Sequence, residues 1–287
     1  ATLIPPSIVF IVYAMVSGAS VGDLFIAGIV PGLLLAILFV VYIVVRSYMD
    51  PKLAPAAPAA ERDIDLAQKL LLLRGLILPF ILAIAVLGSI YFGVATPTEA
   101  AGIGCVGALL VSAIHRRLSI ESVKESLHDT LKVTCMLAWL FFGAQTLIGV
   151  YTLASGDEFV KNAVTAVPFG RWGTIIVMQL ILIFLGMFLD WIGIVLLTMP
   201  LFVPIIKELD FDVVWFGVVF CMNMQISYLS PPFGPACFYL KSVCPKEITL
   251  GDIYKSVWPF VLLILIALVL TIVFPQLSLW LPAQMPQ

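Results

Sequence analysis

Charge is the scarcest commodity in this sequence. Asp, Glu, Lys and Arg together make up 11% of its 287 residues, while hydrophobic residues reach 62%; soluble domains run near a quarter and a half, respectively. A soluble globule with so little charge could not cover its own surface, which excludes soluble enzymes and disordered chains. The net charge of −2 leaves no polybasic face for nucleic acid. Histidine occurs only as His115 and His128, beside charged residues and without partners at metal-ligand spacing. The five cysteines (Cys105, Cys135, Cys221, Cys237 and Cys244) form no CxxC or Cys/His cluster, so inert buried thiols are expected rather than disulfides or metal ligands. No phosphate-binding glycine loop, no Ser/His/Asp set and no paired carboxylates can be assembled, so an intramembrane enzyme has no support. The start also lacks an initiator Met, a charged leader and a cleavage pattern, so the chain is expected to begin inside a longer protein.

Long apolar runs are what the sequence has in abundance. A spanning helix needs about 20 apolar residues, and 24–45, 75–94, 131–153 and 253–274 supply clean candidates. Residues 100–114 form a shorter candidate in which Ala100, Gly104 and Ala108 recur every four positions, a spacing that permits close helix packing in lipid. The expectation is an all-α polytopic membrane protein embedded in a lipid bilayer.

Three basic stretches orient it. Residues 46–74, 115–132 and 241–255 hold five, four and three of the fifteen Lys/Arg, leaving only Lys161, Arg171 and Lys207 elsewhere. By the positive-inside rule these stretches face the cytoplasm. The first contains a Pro/Ala tract at 51–60 and reads as a linker. The second, with Leu118, Ile120, Val123 and Leu127, reads as a helix lying on the membrane surface. Trp172, Trp258 and Trp280 fall near expected interfaces as anchors.

Two apolar runs are too long and too interrupted to be simple spans. Residues 172–206 carry Asp190, Gly193, Thr198, Pro200 and Pro204, and both flanking loops are assigned outside; a re-entrant hairpin with its tip near 189–193 is expected. Residues 213–243 contain Ser230-Pro231-Pro232-Phe233-Gly234-Pro235, which predicts a helix with an unwound middle. Such backbone is tolerated at membrane depth only where it is buried in protein or lines a polar cavity.

The two ends of the chain repeat one another. Pro5-Pro6, Gly22-Asp23 and Pro31 are matched by Pro231-Pro232, Gly251-Asp252 and Pro259, at offsets of 226, 229 and 228. The long helix after the first set runs inward and the one after the second runs outward, so the repeats are inverted. Inverted repeats with discontinuous helices point to a secondary transporter whose site lies where the breaks meet. A channel is the competing class, separable by saturable, ion-dependent uptake.

At these residues the sequence resembles a known family. Ile4-Pro5-Pro6-Ser7, the string from Phe92 to Ala101 containing Ala95-Thr96-Pro97-Thr98-Glu99-Ala100-Ala101, the 186–198 stretch and residues 223–241 are similar to the large permease subunit of TRAP (tripartite ATP-independent periplasmic) transporters, over essentially the whole chain. The resemblance implies a bacterial inner-membrane protein with an elevator-type fold that imports an organic acid with sodium as coupling ion and no other cofactor. It also implies two partners, a small four-helix membrane subunit and a periplasmic substrate-binding protein, although a sodium-coupled symporter acting without a binding protein remains an alternative. It implies that the chain is the C-terminal two-thirds of such a subunit, lacking a hairpin before the first Pro-Pro pair. Ser230 stands where that family commonly has Thr, which keeps the hydroxyl.

Residues 1–47 then form the end of the first repeat, 48–74 a cytoplasmic linker, 75–130 a helix pair with the surface helix, and 131–287 the second repeat with a hairpin at 172–206 and a broken helix at 213–243. Ala56, His128 and Pro245 are expected in the cytoplasm, and Asp157, Leu209 and the C-terminus outside. Sodium, a hard cation, wants several oxygen ligands. Candidates are the first break (Pro5, Pro6, Ser7), the hairpin (Asp190, Gly193, Thr198), and the second break with the helix leading into it (Asn223, Gln225, Ser230, Pro231, Pro232, Gly234). Asp190 carries two readings, an ion-path carboxylate or the N-cap of the helix after the tip. Capping competes with transport at Glu99 also, with Thr96 or Thr98 as N-cap, and N-capping is the favoured role at Asp23 and Asp252.

Overall fold

A computed structural model describes residues 3–50, 66–156, 170–232, 234–245 and 247–284. The 51–60 tract with Ala56, Asp157, Lys161, Phe233 and residues 285–287 lie outside the described residues. Among the described residues the regular structure is helical throughout: α1 Ile8–Ser17, α2 Val21–Ala27, α3 Ile29–Met49, α4 Leu66–Tyr91, α5 Pro97–Ile114, α6 Ile120–Leu153, α7 Gly170–Gly186, α8 Trp191–Glu208, α9 Val213–Leu229, α10 Pro235–Val243, α11 Leu250–Val273, α12 Gln276–Leu279 and a 3-10 turn at Pro282–Gln284. Val21–Met49, Pro97–Ile114, Trp191–Glu208 and Leu250–Val273 are long and apolar enough to cross a membrane. Several such helices in one chain are what a polytopic membrane protein requires.

The chain divides into two units, one of Ala1–Leu35 with Leu131–Gln284 and one built around Ala36–Thr130. In the second unit α4 and α5 form an antiparallel pair. Gly104 faces Val86, and Gly107 lies so close to Leu82 that a Cβ there would overlap its side chain. The packing stripe is therefore Ala100, Gly104 and Gly107, with Ala108 exposed instead of packed as expected. The α5 start is a capping box: Thr96 Oγ1 accepts from the Glu99 N–H, and Glu99 accepts in return from the Thr96 N–H at 2.8 Å. Of the two threonines offered as cap, Thr96 is the one used, with Pro97 at the first turn.

Two expectations change here. The helix after the basic linker begins at Leu66 instead of Gly75, since 66–74 holds strong helix formers and neither Gly nor Pro. The surface helix and the span after it are one continuous helix, α6, started by Ser119, whose Oγ accepts from the Ser122 N–H. Nothing between Ile120 and Phe142 breaks a helix, and the charge pattern that suggested a separate element is simply the polar part of α6.

The first unit is organised around α9, most of which is buried, including Trp215, Phe216, Phe220 and Met222. Its Val213 end gathers several elements. Tyr13 of α1 donates its hydroxyl to the Val213 carbonyl at 2.8 Å and stacks on Phe220. Trp215 donates Nε1–H to the Thr271 carbonyl near the end of α11 at 3.0 Å. Trp172, at the start of α7, meets Phe211 and Trp215 edge-on, with the Arg171 guanidinium 5.0 Å from the Phe211 ring centre. Trp215 is thus a core residue and not an interfacial one. At the Leu229 end lie the tip joining α7 to α8 and the start of α11, where Tyr254 approaches the Pro232 carbonyl. So α7 runs parallel to α9, while α8 and α11 run back against it.

Both interruptions fall at the prolines. Residues 3–7, 230–232 and 234 are non-helical, and the Pro5-Pro6 and Pro231-Pro232 peptides are cis. Pro235 does not prolong the second break; it is the first residue of α10, where a missing N–H costs nothing. The helix after each break is followed by a polar cap, Ser20 ahead of α2 and Thr249 ahead of α11, with Asp23 and Asp252 three residues on. The N-caps are these hydroxyls and the two aspartates sit at the third helical position, from which Asp252 completes a capping box by accepting from the Thr249 N–H at 3.0 Å. Pro31 withholds the N–H that Ala27 would bond, which interrupts the long helix between α2 and α3. Pro259, its counterpart, stays within α11. Pro200 and Pro204 likewise leave α8 unbroken, because its buried face, including Leu196, Met199 and Val203, holds it in place.

Candidate functional site

The hairpin reaches the second break through one glycine. A Cβ on Gly186, the last residue of α7, would overlap both Cβ and Oγ of Ser227 on α9. Only hydrogen lets the two helices approach this closely. Beyond that contact the chain turns at 187–189 and enters α8 through Asp190, whose carboxylate accepts from the Ile192 N–H at 3.2 Å. Asp190 is therefore the N-cap of α8. It is also solvent-exposed and lines a small cavity with Gly186, Met224, Ser227, Tyr228 and Pro235. The cavity, about 10 Å³, has room for one water-sized particle and none for an organic acid. A larger cavity of about 320 Å³ lies on the other side of the break, lined by Leu229, Pro231, Tyr254, Lys255, Trp258 and Val261. Its size is in the range of small-molecule pockets, and Lys255 is its one cationic lining residue.

The second break leaves backbone groups to be satisfied. Gly234 donates its N–H to the Ser230 carbonyl at 2.9 Å, closing a turn, and its φ of 20° with Tyr254 packed against it suits glycine. Ser230 turns its hydroxyl back onto the Ile226 carbonyl at 2.8 Å. Cys237 Sγ lies 3.7 Å from the Leu229 carbonyl, bridging the interruption. Cys221 and Cys237 are buried as expected, whereas Cys105 and Cys135 are exposed.

The first break is packed against the start of α3. Gly28 would place a Cβ 2.6 Å from the Leu3 carbonyl oxygen and 2.7 Å from the Phe10 ring, and a Cβ at Gly32 would lie 2.7 Å from Ile4. These two glycines, four apart, seat the unwound segment. Pro5 and Ser7 are buried and Pro6 is exposed. α1, which starts at this break, packs along α8; because its Tyr13 end meets Val213, its Ser7 end points toward the tip.

The remaining candidates take different places. Asn223 is fully buried and donates Nδ2–H to the Gln179 side-chain and backbone oxygens on α7. Gln225, two residues on, is half-buried. Thr198 bonds its hydroxyl to the Ile194 carbonyl one turn back at 2.7 Å. Gly193 lies inside α8 with open space around it, so it is not a steric hinge of the tip. The structure thus joins Asp190 with the second break, and adds Gly186, Ser227, Tyr228 and Gln179, which sequence reading did not single out. Ser227 had a usable signal: it stands four residues after Asn223 and three before Ser230, on one face of α9.

The family model for the DctM component of tripartite ATP-independent periplasmic transporters matches residues 1–277. The chain is 34% identical over 283 residues to the C4-dicarboxylate TRAP transporter large permease protein DctM of Pseudomonas aeruginosa, covering 98% of this chain and 64% of that protein. It is 32% identical over 284 residues to the ectoine/5-hydroxyectoine TRAP transporter large permease protein UehC of Ruegeria pomeroyi, and 30% identical over 285 residues to the sialic acid TRAP transporter large permease protein SiaM of Vibrio cholerae, with the same two coverages. The chain spans just under two thirds of the length of these relatives.

Proposed function

The chain belongs to the DctM family of tripartite ATP-independent periplasmic transporters, a family of transport permeases and not of enzymes, and on that premise we propose that it carries the ion-coupled part of a large inner-membrane subunit importing an organic acid. Sodium is the coupling ion. A periplasmic binding protein delivers the substrate and a small four-helix membrane subunit supports the permease. The observation that carries this reading is the docking of the hairpin tip, with its carboxylate, onto the broken helix at Ser227–Pro235. The space they share is lined by Asp190, Ser227 and Tyr228, and a carboxylate and hydroxyls beside the carbonyls that a helix break frees are the kind of donor set a small unhydrated cation takes.

In this reading residues 1–47 close the first inverted repeat and 131–287 form the second. The hairpin is re-entrant from the periplasmic side, and the repeats move together as an elevator across the membrane. Relatives act on C4-dicarboxylates, sialic acid and ectoines by their names; for this chain the class is an organic acid.

The deciding experiment is uptake into proteoliposomes by the complete system. Saturable, sodium-dependent uptake that requires the binding protein is expected. Unsaturable flux indifferent to sodium would identify a channel, and undiminished uptake without the binding protein would identify an autonomous symporter. Topology is tested separately by single cysteine substitutions in a cysteine-free background. Labelling from the cytoplasmic side is expected at Ala56, His128 and Pro245, and from the periplasmic side at Asp157, Leu209 and the C-terminus. Cytoplasmic labelling at Leu209 would refute the re-entrant hairpin.

A further inference from the structure

Gln179 lies in the middle of α7, 5% exposed, facing an Asn223 that is 0% exposed. A buried amide in a membrane protein is costly unless bonded, so the way these two pair is informative. Asn223 Nδ2 is 3.0 Å from the Gln179 backbone carbonyl and 2.8 Å from Gln179 Oε1. A backbone carbonyl only accepts, so the Asn223 atom facing it is nitrogen, and the Gln179 side-chain atom facing that nitrogen is oxygen. The chemistry of the partners thus settles both amide orientations, which atom positions alone would leave open. What remains is Asn223 Oδ1 and Gln179 Nε2, both buried and without a hydrogen-bond partner among the described residues.

Asn223 is also the first member of a stripe. Asn223, Ser227 and Ser230 fall at i, i+4 and i+7 on one face of α9, at 0%, 6% and 8% exposure. Ser227 is the residue against which Gly186 docks, and it shares the small tip cavity with Asp190. Asn223 and Ser227 on α9, with Ser230 at its C-cap, lead from the amide pair to the second break; Gln225 and Tyr228 are the other polar side chains of this stretch.

We infer that Gln179 is a positioning residue: by holding the Asn223 amide nitrogen against α7, it presents the Asn223 side-chain oxygen as a ligand for the coupling cation. The inference rests on the sodium-coupled reading above. A hard cation takes an oxygen and is repelled by N–H, so an Asn223 amide turned the other way would offer the wrong pole. Gln179 is assigned no ligand role: its oxygen is turned to the Asn223 amide nitrogen and its unpartnered group is a donor.

The test is a double-mutant cycle on the sodium dependence of uptake, in the complete transporter in proteoliposomes. Asn223→Leu removes the ligand. Gln179→Met keeps the length of the side chain but removes its acceptor, whereas Gln179→Glu keeps an acceptor oxygen. Asn223→Leu is expected to raise the half-saturating sodium concentration about tenfold, and Gln179→Met about threefold or more with little change in maximal rate. Gln179→Glu should stay within about twofold of wild type, and the double variant Gln179→Met/Asn223→Leu should be no worse than Asn223→Leu alone. A purely structural role would lower the amount of assembled protein or the maximal rate and leave the sodium curve in place. An unchanged sodium curve in Gln179→Met, or additive effects in the double variant, would overturn the inference. If the Asn223 variants do not assemble, Gln179→Met against Gln179→Glu decides it alone. Wild-type uptake indifferent to sodium would instead remove the sodium-coupled reading itself.

Discussion

Replacing Gly186 with alanine should slow transport by about one to two orders of magnitude, and a second substitution on another helix should restore it. The added Cβ would overlap Cβ as well as Oγ of Ser227. Rotating the serine hydroxyl away therefore does not relieve the clash; α7 and α9 must move apart. Overpacking of this kind costs about 1–3 kcal/mol, and here the displacement is delivered directly to the tip that carries Asp190. A small shift of a binding constellation is enough to lose one or two orders of magnitude in rate, roughly 1.4 kcal/mol for each tenfold. The rescue is size-specific. Ser227→Ala leaves the offending Cβ and should not restore uptake in the Gly186→Ala background, whereas Ser227→Gly removes it and should, at a cost of about 1 kcal/mol in helix stability. Normal uptake by Gly186→Ala alone would mean that the close approach of hairpin and broken helix is not needed for function.

That contact shows where sequence reading stops. The hairpin tip was legible because Asp190 interrupts an apolar run, and the second break because no helix passes through Ser230-Pro231-Pro232. Both are local effects of one residue or a few on their own backbone. Caps were legible for the same reason, down to Thr96 and Glu99. The pairing of Gly186 with Ser227, or of Gln179 with Asn223, depends instead on which helices become neighbours, and a single glycine or glutamine in an apolar run does not carry that information. The errors have the same origin. Pro200 and Pro204 looked like interruptions, yet the buried face of α8 carries the helix through them. The basic stretch at 115–132 looked like a separate surface element, because its amphipathic pattern is clear and its continuity with the next span is not a property of either part. Asp23 and Asp252 were placed correctly near helix starts but at the wrong position, since Ser20 and Thr249 provide the shorter reach to the free N–H groups.

Asp190 remains the residue at which two roles overlap, and a single substitution separates them. Its carboxylate caps α8 through the Ile192 N–H, and the same side chain lines the cavity beside Ser227 and Tyr228. Asp190→Asn keeps the size and the acceptor oxygen. A cap accepts Asn almost as readily as Asp, so if capping were the whole of its role the variant would transport normally with an unchanged sodium curve. A cation ligand responds otherwise, because the lost interaction is one of full charge with full charge. In a dry interior that attraction is worth several kcal/mol, but the Asp190 side chain is exposed, and solvent screening reduces it. The expected effect is accordingly a rise of about tenfold in half-saturating sodium, equivalent to roughly 1.4 kcal/mol, with the protein assembling as well as wild type. Ser230→Ala supplies the control at the second break. Its hydroxyl is engaged with the Ile226 carbonyl, so its removal should shift the sodium curve less than Asp190→Asn does. A sodium curve unmoved by Asp190→Asn, at normal uptake, would leave Asp190 as a cap only and transfer cation binding to the backbone carbonyls of the two breaks.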